Sequence, residues 1–238
     1  MFDSSEEKFK EIQSPEKGGF YYYNSYYNRS INFYDVNNNT VRKIKDYKDK
    51  AVYDVFATDS KFYVVYRDGG NPNPIIYYVD ELNIETEKVE STHNVTEFVA
   101  DNYNSYIRTI GVDSKGRIYL TTFDGLKSEK KYTIHLLSKD YKELSSADME
   151  DDCFEYYGFD SSNGNFYFES YKTAKSQWGS SSGYRTLAFG NVTNNKITVS
   201  DEILDILYAK YVQYHYSSAI MLTEGTLAWT SSYNSTVN

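Results

Sequence analysis

Cysteine, proline and long apolar runs are nearly absent from this sequence: it has 1 Cys and 3 Pro among 238 residues. A single cysteine, Cys153, excludes an internal disulfide and a thiolate cluster for zinc or iron–sulfur. No run approaches the roughly eighteen apolar residues of a transmembrane helix. The first residues, MFDSSEEKFKEIQ, lack the basic and apolar regions of a signal peptide.

Positive charge and histidine are also scarce. The chain has 25 Lys and Arg against 34 Asp and Glu, a net charge of -9. Nucleic acids and anionic membranes bind clustered Lys and Arg, so neither is expected as the main partner. The three histidines are not at metal-ligand spacing, and no nucleotide-binding or nucleophile motif is present. The sequence therefore predicts no catalytic residue, no metal site and no cofactor.

Aromatic residues are abundant, with 27 Tyr and 13 Phe. Aromatic and β-branched side chains favour half-buried sheet surfaces. Short stretches such as FYVVYRD, RIYLTTF and NFYFESY are bounded by Gly, Asn, Asp and Ser, a pattern that predicts strands and turns. We predict an all-β protein, with helical spacing only at 200–213 and, more weakly, at 95–103.

The strands repeat along the chain. The segment IGVDSKGRIYLTTFDG (110–125) returns as YGFDSSNGNFYFESY (157–171), and related copies begin near residues 12, 56 and 220. A second hairpin follows each of the copies that begin near residues 12, 56, 110 and 157. Examples are FYDVNNNTVRKI and FGNVTNNKITV. Each unit thus has four antiparallel strands in meander order, which we call a, b, c and d. Such a repeat every ~40–60 residues is typical of a β-propeller blade.

The phrase DSKGRIYLTTFDG and the two hairpins resemble the repeats of bacterial β-propellers of the NHL and two-component-regulator group. The resemblance extends over essentially the whole chain. It implies a propeller architecture and transfers no catalytic residue.

The units predicted from this repeat run at about 8–47, 52–93, 107–148 and 153–199, with a partial fifth at 214–238. We expect them to form one β-propeller domain with four complete blades and a partial fifth. Propellers usually have about four to eight blades. The unfinished fifth unit favours a fragment of a propeller of about six to eight blades over a four-bladed ring with an extra hairpin.

Length variation is concentrated in the b–c and d–a connections, which lie at one end of the blades. Insertions on one side of a repeat fold usually mark a binding face. The predicted ligand-binding residues are Trp178, Arg67, His93 and Asp124. Trp178 either anchors its Ser- and Gly-rich loop on the sheet or offers a stacking platform to a ligand.

These features predict a non-enzymatic binding or scaffold propeller that presents its long loops to a protein or carbohydrate partner. The alternatives are a propeller hydrolase or lyase acting on a sugar or lactone, and the sensor domain of a larger protein. The hydrolase would need acidic or histidine side chains converging from several blades; Asp124 has a suitable position but no evident partner. The Tyr- and Asn-rich, acidic composition favours an extracellular or cell-envelope location in a bacterium.

Overall fold

A computed structural model describes residues 10–24, 29–70, 73–125, 131–149, 152–160, 164–175, 181–203, 215–223 and 226–233. Trp178 lies outside these residues. No helix in the described ranges is long and apolar enough to cross a membrane.

The described residues form eighteen strands. The first two blades consist of β1 (Lys10–Ser14), β2 (Gly19–Asn24), β3 (Ser30–Asp35), β4 (Thr40–Asp46), β5 (Ala51–Ala57), β6 (Lys61–Gly70), β7 (Asn73–Asn83) and β8 (Lys88–Asn94). The next two consist of β9 (Tyr106–Val112), β10 (Ile118–Asp124), β11 (Lys131–Leu137), β12 (Glu143–Met149), β13 (Asp152–Asp160), β14 (Asn165–Lys175), β15 (Ser181–Thr193) and β16 (Lys196–Ile203). A last hairpin contains β17 (His215–Thr223) and β18 (Thr226–Tyr233).

Each successive group of four strands is a separate antiparallel sheet in meander order, and β17 pairs with β18 in a two-stranded sheet. We call the four sheets blades 1 to 4 and the last one the fifth hairpin. The all-β fold, the four complete four-stranded blades of a propeller and the partial fifth are therefore confirmed.

The chain divides into two compact units, Met1–Phe98 and Val99–Asn238. Blades 1 and 2 belong to the first unit, and blades 3 and 4 with the fifth hairpin belong to the second. Within the first unit β1 contacts β5; within the second β9 contacts β13, and β13 contacts β17. Neighbouring blades in each unit thus contact one another through their a strands, and blades 3 and 4 also through their d strands, β12 and β16. The single-domain boundary stays a prediction.

The core of the first unit lies between blades 1 and 2 and is largely aromatic. One face of blade 1 packs against one face of blade 2, and the buried residues include Tyr21, Tyr23, Phe33, Phe62, Val64 and Leu82. Alternate residues of a strand point to the same face, so Tyr21 and Tyr23 of β2 both enter this core. Most tyrosines on these strands are packing residues, as their pattern predicts.

Blades 3 and 4 also pack through aromatic rings. Tyr119 on β10 and Phe166 on β14 have ring centroids 5.1 Å apart. A Cβ at Gly190 would lie 2.2 Å from the Phe166 ring, so only glycine allows β15 to pass so close to it.

Two local predictions differ from the structure. The segment predicted as a helix at 200–213 begins as strand, because β16 continues through Ile203 and pairs with Ala188 of β15; residues 204–214 lie outside the described part. The segment 95–103 contains only a short 3₁₀ turn, Thr96–Phe98. For residues 200–203 sheet pairing thus takes the place of the predicted helix, and the prediction for the rest of the segment stays untested.

Candidate binding site

The b–c and d–a connections leave the same end of each meander. They differ greatly in length: the d–a connection before blade 2 runs only from residue 47 to 50, whereas the one before blade 3 runs from 95 to 105. The b–c connection of blade 2 is short, because β6 reaches Gly70 and β7 begins at Asn73. The d–a connection 95–105 is therefore the principal fully described loop at this end.

Residues 101–105 form what we call the Tyr103 loop, and side-chain hydrogen bonds hold it in shape. The Asn102 Oδ1 accepts a 3.0 Å bond from the Asn104 amide, and the Ser105 amide donates to the Asn102 carbonyl at 3.2 Å. Such an Asx turn is a common way for Asn to fix a tight loop. The backbone on both sides of Tyr103 is therefore constrained.

Asp124, at the end of β10, ties this loop to the sheet. Its Oδ1 accepts hydrogen bonds from Asn102 Nδ2 at 3.1 Å and from Ser105 Oγ at 3.3 Å. The next residue, Gly125, allows the close approach, since a Cβ there would lie 2.7 Å from both Asn104 Cβ and the Asn104 carbonyl oxygen. Asp124 thus acts as an anchor of the Tyr103 loop.

Three aromatic rings lie beside one another at this end of blade 3. Tyr106, Phe123 and Tyr132 are directly paired across β9, β10 and β11. The ring centroids of Tyr106 and Phe123 are 5.1 Å apart, and those of Phe123 and Tyr132 are 4.9 Å apart. Cross-strand aromatic pairs stabilise a sheet locally, so the strand ends that carry the loop are well supported.

Tyr103 itself is 83% exposed, the largest exposed fraction among the described large hydrophobic residues. A single exposed aromatic residue is ordinary on a protein surface. Here, however, it lies at the tip of a loop that is hydrogen-bonded on both sides and anchored by a carboxylate. The sequence around it, Asp-Asn-Tyr-Asn-Ser, combines the residue types that antibody loops use for recognition.

The structure places the three described site residues, Arg67, His93 and Asp124, in different settings. Arg67 on β6 lies opposite Tyr77 on β7. His93 on β8 lies opposite Val79, and its Nε2 is 3.8 Å from Glu81 Oε1. Register puts Arg67 and His93 on the same face of blade 2.

Asp124 belongs to the second unit, as described above, and Trp178 lies outside the described residues. A binding role for these four residues stays a prediction. Tyr103 was not among the residues predicted from the sequence, although Trp178 was chosen by a criterion that also fits it: a lone large aromatic residue among small polar residues in a variable connection. The same criterion applied to the d–a connection would have found Tyr103.

Blade 3 also contains a hydroxyl–imidazole–carboxylate chain that the sequence did not reveal. His135 Nε2 is 3.1 Å from Thr122 Oγ1, and His135 Nδ1 is 2.7 Å from Glu143 Oε1. The three residues come from β10, β11 and β12. Because Thr122 is buried, with 7% of its surface exposed, its hydroxyl is not presented to a substrate. We interpret these hydrogen bonds as structural contacts that hold the three neighbouring strands together.

Elsewhere in the described ranges, ionisable groups support the fold. No group of three His, Cys, Asp or Glu side chains there could hold a metal ion. The carboxylate of Glu87 accepts hydrogen bonds from Arg42 on β4 and from Tyr21 on β2, so it joins blade 2 to blade 1. The Arg42 guanidinium lowers the pKa of Glu87 to about 2.

No protein-family model and no curated protein matches this sequence. Among the solved structures, one similar chain is an α-L-arabinofuranosidase from Clostridium thermocellum, at 15% identity and a TM-score of 0.42. The match covers 92% of this chain and 80% of that one. A likeness at this level assigns neither a family nor an activity, so the fold rests on the strand pairing described above.

Proposed function

We propose that this chain is a non-enzymatic binding propeller that presents the Tyr103 loop to a protein or carbohydrate partner. The observation that carries the proposal is the 83% exposure of Tyr103 at the tip of an anchored loop. Tyrosine offers a large contact area with few rotatable bonds, so little conformational entropy is lost when it binds. An extracellular or cell-envelope location in a bacterium remains part of the proposal on grounds of composition.

The anchoring of the loop supports this proposal. Ordering a flexible loop during binding consumes roughly 0.5–1.5 kcal/mol for each immobilised side chain. The hydrogen bonds that Asp124 accepts from Asn102 and Ser105 already order the loop before a partner binds. The exposed side chains of Asp101 and Asn104 lie on either side of Tyr103 in sequence and supply hydrogen-bonding groups at the rim.

A sugar-acting propeller hydrolase remains the alternative prediction. For this hydrolase, Asp124 is the acidic residue that the sequence predicts to have a suitable position for catalysis. Its Oδ1 is occupied in holding the loop, and this favours an anchoring role over acid or base catalysis. We therefore place binding first.

The test is a screen of the folded chain against a glycan array and a displayed peptide library. We expect at least one partner that binds the wild type and binds Tyr103→Ala at least tenfold more weakly, as for an interface hot spot. The matched control is Val36→Ala, which truncates another exposed apolar side chain, 57% exposed, on the c–d turn of blade 1. Partners that bind all three proteins equally, or no partner in either screen, would contradict the proposal.

A further inference from the structure

The Tyr103 loop offers a partner a small exposed surface. Asp101, Tyr103 and Asn104 are exposed, whereas Asn102 is half-buried and Ser105 is buried. The side chains of Asn102 and Ser105 both donate hydrogen bonds to the anchoring carboxylate at the end of β10. The exposed surface of the loop is therefore one aromatic ring, with a carboxylate before it in the sequence and a carboxamide after it.

The size of this surface suits a sugar. A specific protein–protein interface takes roughly 20–30 residues from each partner, and the exposed side chains of this loop are far fewer. One tyrosine ring, however, is about as wide as a pyranose ring and can cover one face of it. The loop can therefore bind a sugar residue without help from a wider apolar surface.

The order of the loop matters most for a small partner. A ligand that makes few contacts gains little free energy, so it cannot also compensate for the ordering of a flexible loop. The Asx turn at Asn102 and the hydrogen bonds to Asp124 fix the backbone on both sides of Tyr103 before binding. The loop thus presents Tyr103 from a constrained backbone, as a ligand as small as a sugar requires.

The chemistry of the three exposed side chains matches the two kinds of surface that a sugar has. The C–H groups on one face of a pyranose form an apolar patch, and the 83% exposed ring of Tyr103 can stack against it. The hydroxyl groups at the edge of a sugar both donate and accept hydrogen bonds. The Asp101 carboxylate accepts such bonds, and the Asn104 carboxamide both donates and accepts them.

Charge distinguishes between classes of sugar. The d–a connection 95–105 contains two acidic residues, Glu97 and Asp101, both exposed, and no Lys or Arg. The whole chain has a net charge of -9. Like charges repel at close range, so a sugar that carries a carboxylate or a sulfate is disfavoured here.

We propose that the partner of the Tyr103 loop is a neutral carbohydrate, with one sugar ring stacked on Tyr103 and its hydroxyl groups bonded to Asp101 and Asn104. This inference rests on the proposed binding function and narrows its partner to one class.

The experiment uses an array of neutral oligosaccharides together with their uronate and sulfated counterparts, followed by NMR titration of the sugars that bind. We expect a neutral sugar to bind at least tenfold more tightly than its acidic counterpart and to lose at least tenfold in affinity with Tyr103→Ala. Tyr103→Phe keeps the ring and should reduce the affinity less. Saturation transfer from the protein should be strongest at the C–H protons of one face of the sugar.

Asp101→Asn tests the charge argument separately. This variant keeps a hydrogen-bonding side chain and removes the carboxylate, so the preference for the neutral sugar over its acidic counterpart should decrease. The matched control is Asp59→Asn, which removes an exposed carboxylate from the a–b turn of blade 2. It should leave both the affinity and the preference unchanged.

The outcomes separate this inference from the proposed function. A peptide that binds through Tyr103 while no sugar binds would overturn the inference and leave the proposed function standing. Sugar binding that persists in Tyr103→Ala would place the sugar elsewhere, and equal binding of neutral and acidic sugars would show that the loop does not select by charge; either result overturns the inference. No partner of either class would contradict both.

Discussion

The two d–a connections at 47–50 and 95–105 place their tyrosines in opposite environments. Tyr47 in the short connection is 2% exposed, and its hydroxyl donates a 2.9 Å hydrogen bond to Asp80 Oδ2 in the core of the first unit. Tyr103 in the long connection is 83% exposed. One tyrosine stabilises the fold, and the other is free to meet a partner.

Connection length, and not residue type, accounts for the different environments of these two tyrosines. In the short connection the Tyr47 amide donates to the Arg29 carbonyl and the Lys50 amide donates to the Tyr47 carbonyl. These bonds hold the backbone against the sheet, so the side chain enters the core. The long connection has room for its own Asx turn at Asn102, which turns Tyr103 outward.

The largest effect that tests this comparison is expected for Tyr47→Ala. Truncating a buried aromatic side chain should lower the free energy of unfolding by about 3–5 kcal/mol. Tyr47→Phe keeps the ring and removes one donor to Asp80, so it should lower this free energy by only about 1 kcal/mol. Urea unfolding monitored by circular dichroism measures both. A loss below about 1 kcal/mol for the alanine variant would mean that Tyr47 is not a core residue.

The next effect concerns the anchor of the Tyr103 loop. Asp124→Ala removes the acceptor for Asn102 and Ser105 and should lower the free energy of unfolding by about 1–2 kcal/mol. The amides of Asn104 and Ser105 should exchange hydrogen faster, because the loop loses its tie to β10. Asp124→Asn retains an oxygen acceptor and serves as the control with a smaller effect. Unchanged exchange in the alanine variant would show that the loop is ordered without Asp124.

A third test uses alkaline pH. Burial, with Asp80 beside the hydroxyl, raises the pKa of Tyr47 above its ordinary value of 10.0. The folded protein therefore keeps Tyr47 neutral where the unfolded chain ionises it. This stabilising contribution is complete below about pH 10 and is lost as the pH rises further, by up to about 1.4 kcal/mol for each pH unit.

Tyr47→Phe cannot ionise at this position. Its free energy of unfolding should consequently fall less steeply than that of the wild type between about pH 10 and 11. Urea unfolding at several pH values gives the two slopes. Equal slopes would show that the hydroxyl of Tyr47 does not contribute to the alkaline loss of stability.

The smallest effect on stability is expected for Tyr103→Ala. An exposed side chain that leaves the fold intact should change the free energy of unfolding by no more than about 0.5 kcal/mol. Thermal unfolding compared with Val36→Ala checks this. A larger loss would show that Tyr103 is part of the fold and would remove the contrast with Tyr47.

The sequence predicted the blade repeat well and the site only in part. The turn at Asp113 shows why the repeat is readable: the Lys115 and Arg117 amides both donate to its Oδ1, and Gly116 has a φ of 73°. All of these residues are within one short turn, so the sequence alone reveals their relationship. The end of β16 shows the opposite case, since the pairing of Ile203 with Ala188 of β15 depends on a distant strand.

The candidate site depends on residues that are neighbours in the sequence and on one residue that is distant. The Asp-Asn-Tyr-Asn-Ser composition of the Tyr103 loop was readable from the sequence, but the bonds to Asp124 were not, because this residue follows some twenty positions later on another strand. Likewise nothing in the spacing of Thr122, His135 and Glu143 indicates that they form one hydrogen-bonded chain. Cross-strand register brings such residues together.

The all-β class, the four complete blades and the partial fifth could be predicted from the sequence alone, because alternation and turn residues act over a few neighbouring positions. The burial of Tyr47, the exposure of Tyr103 and the anchoring of a loop by Asp124 are visible only in the folded chain. Those outcomes depend on which strands lie side by side and on how far each connection must reach, and neither is encoded within a single segment.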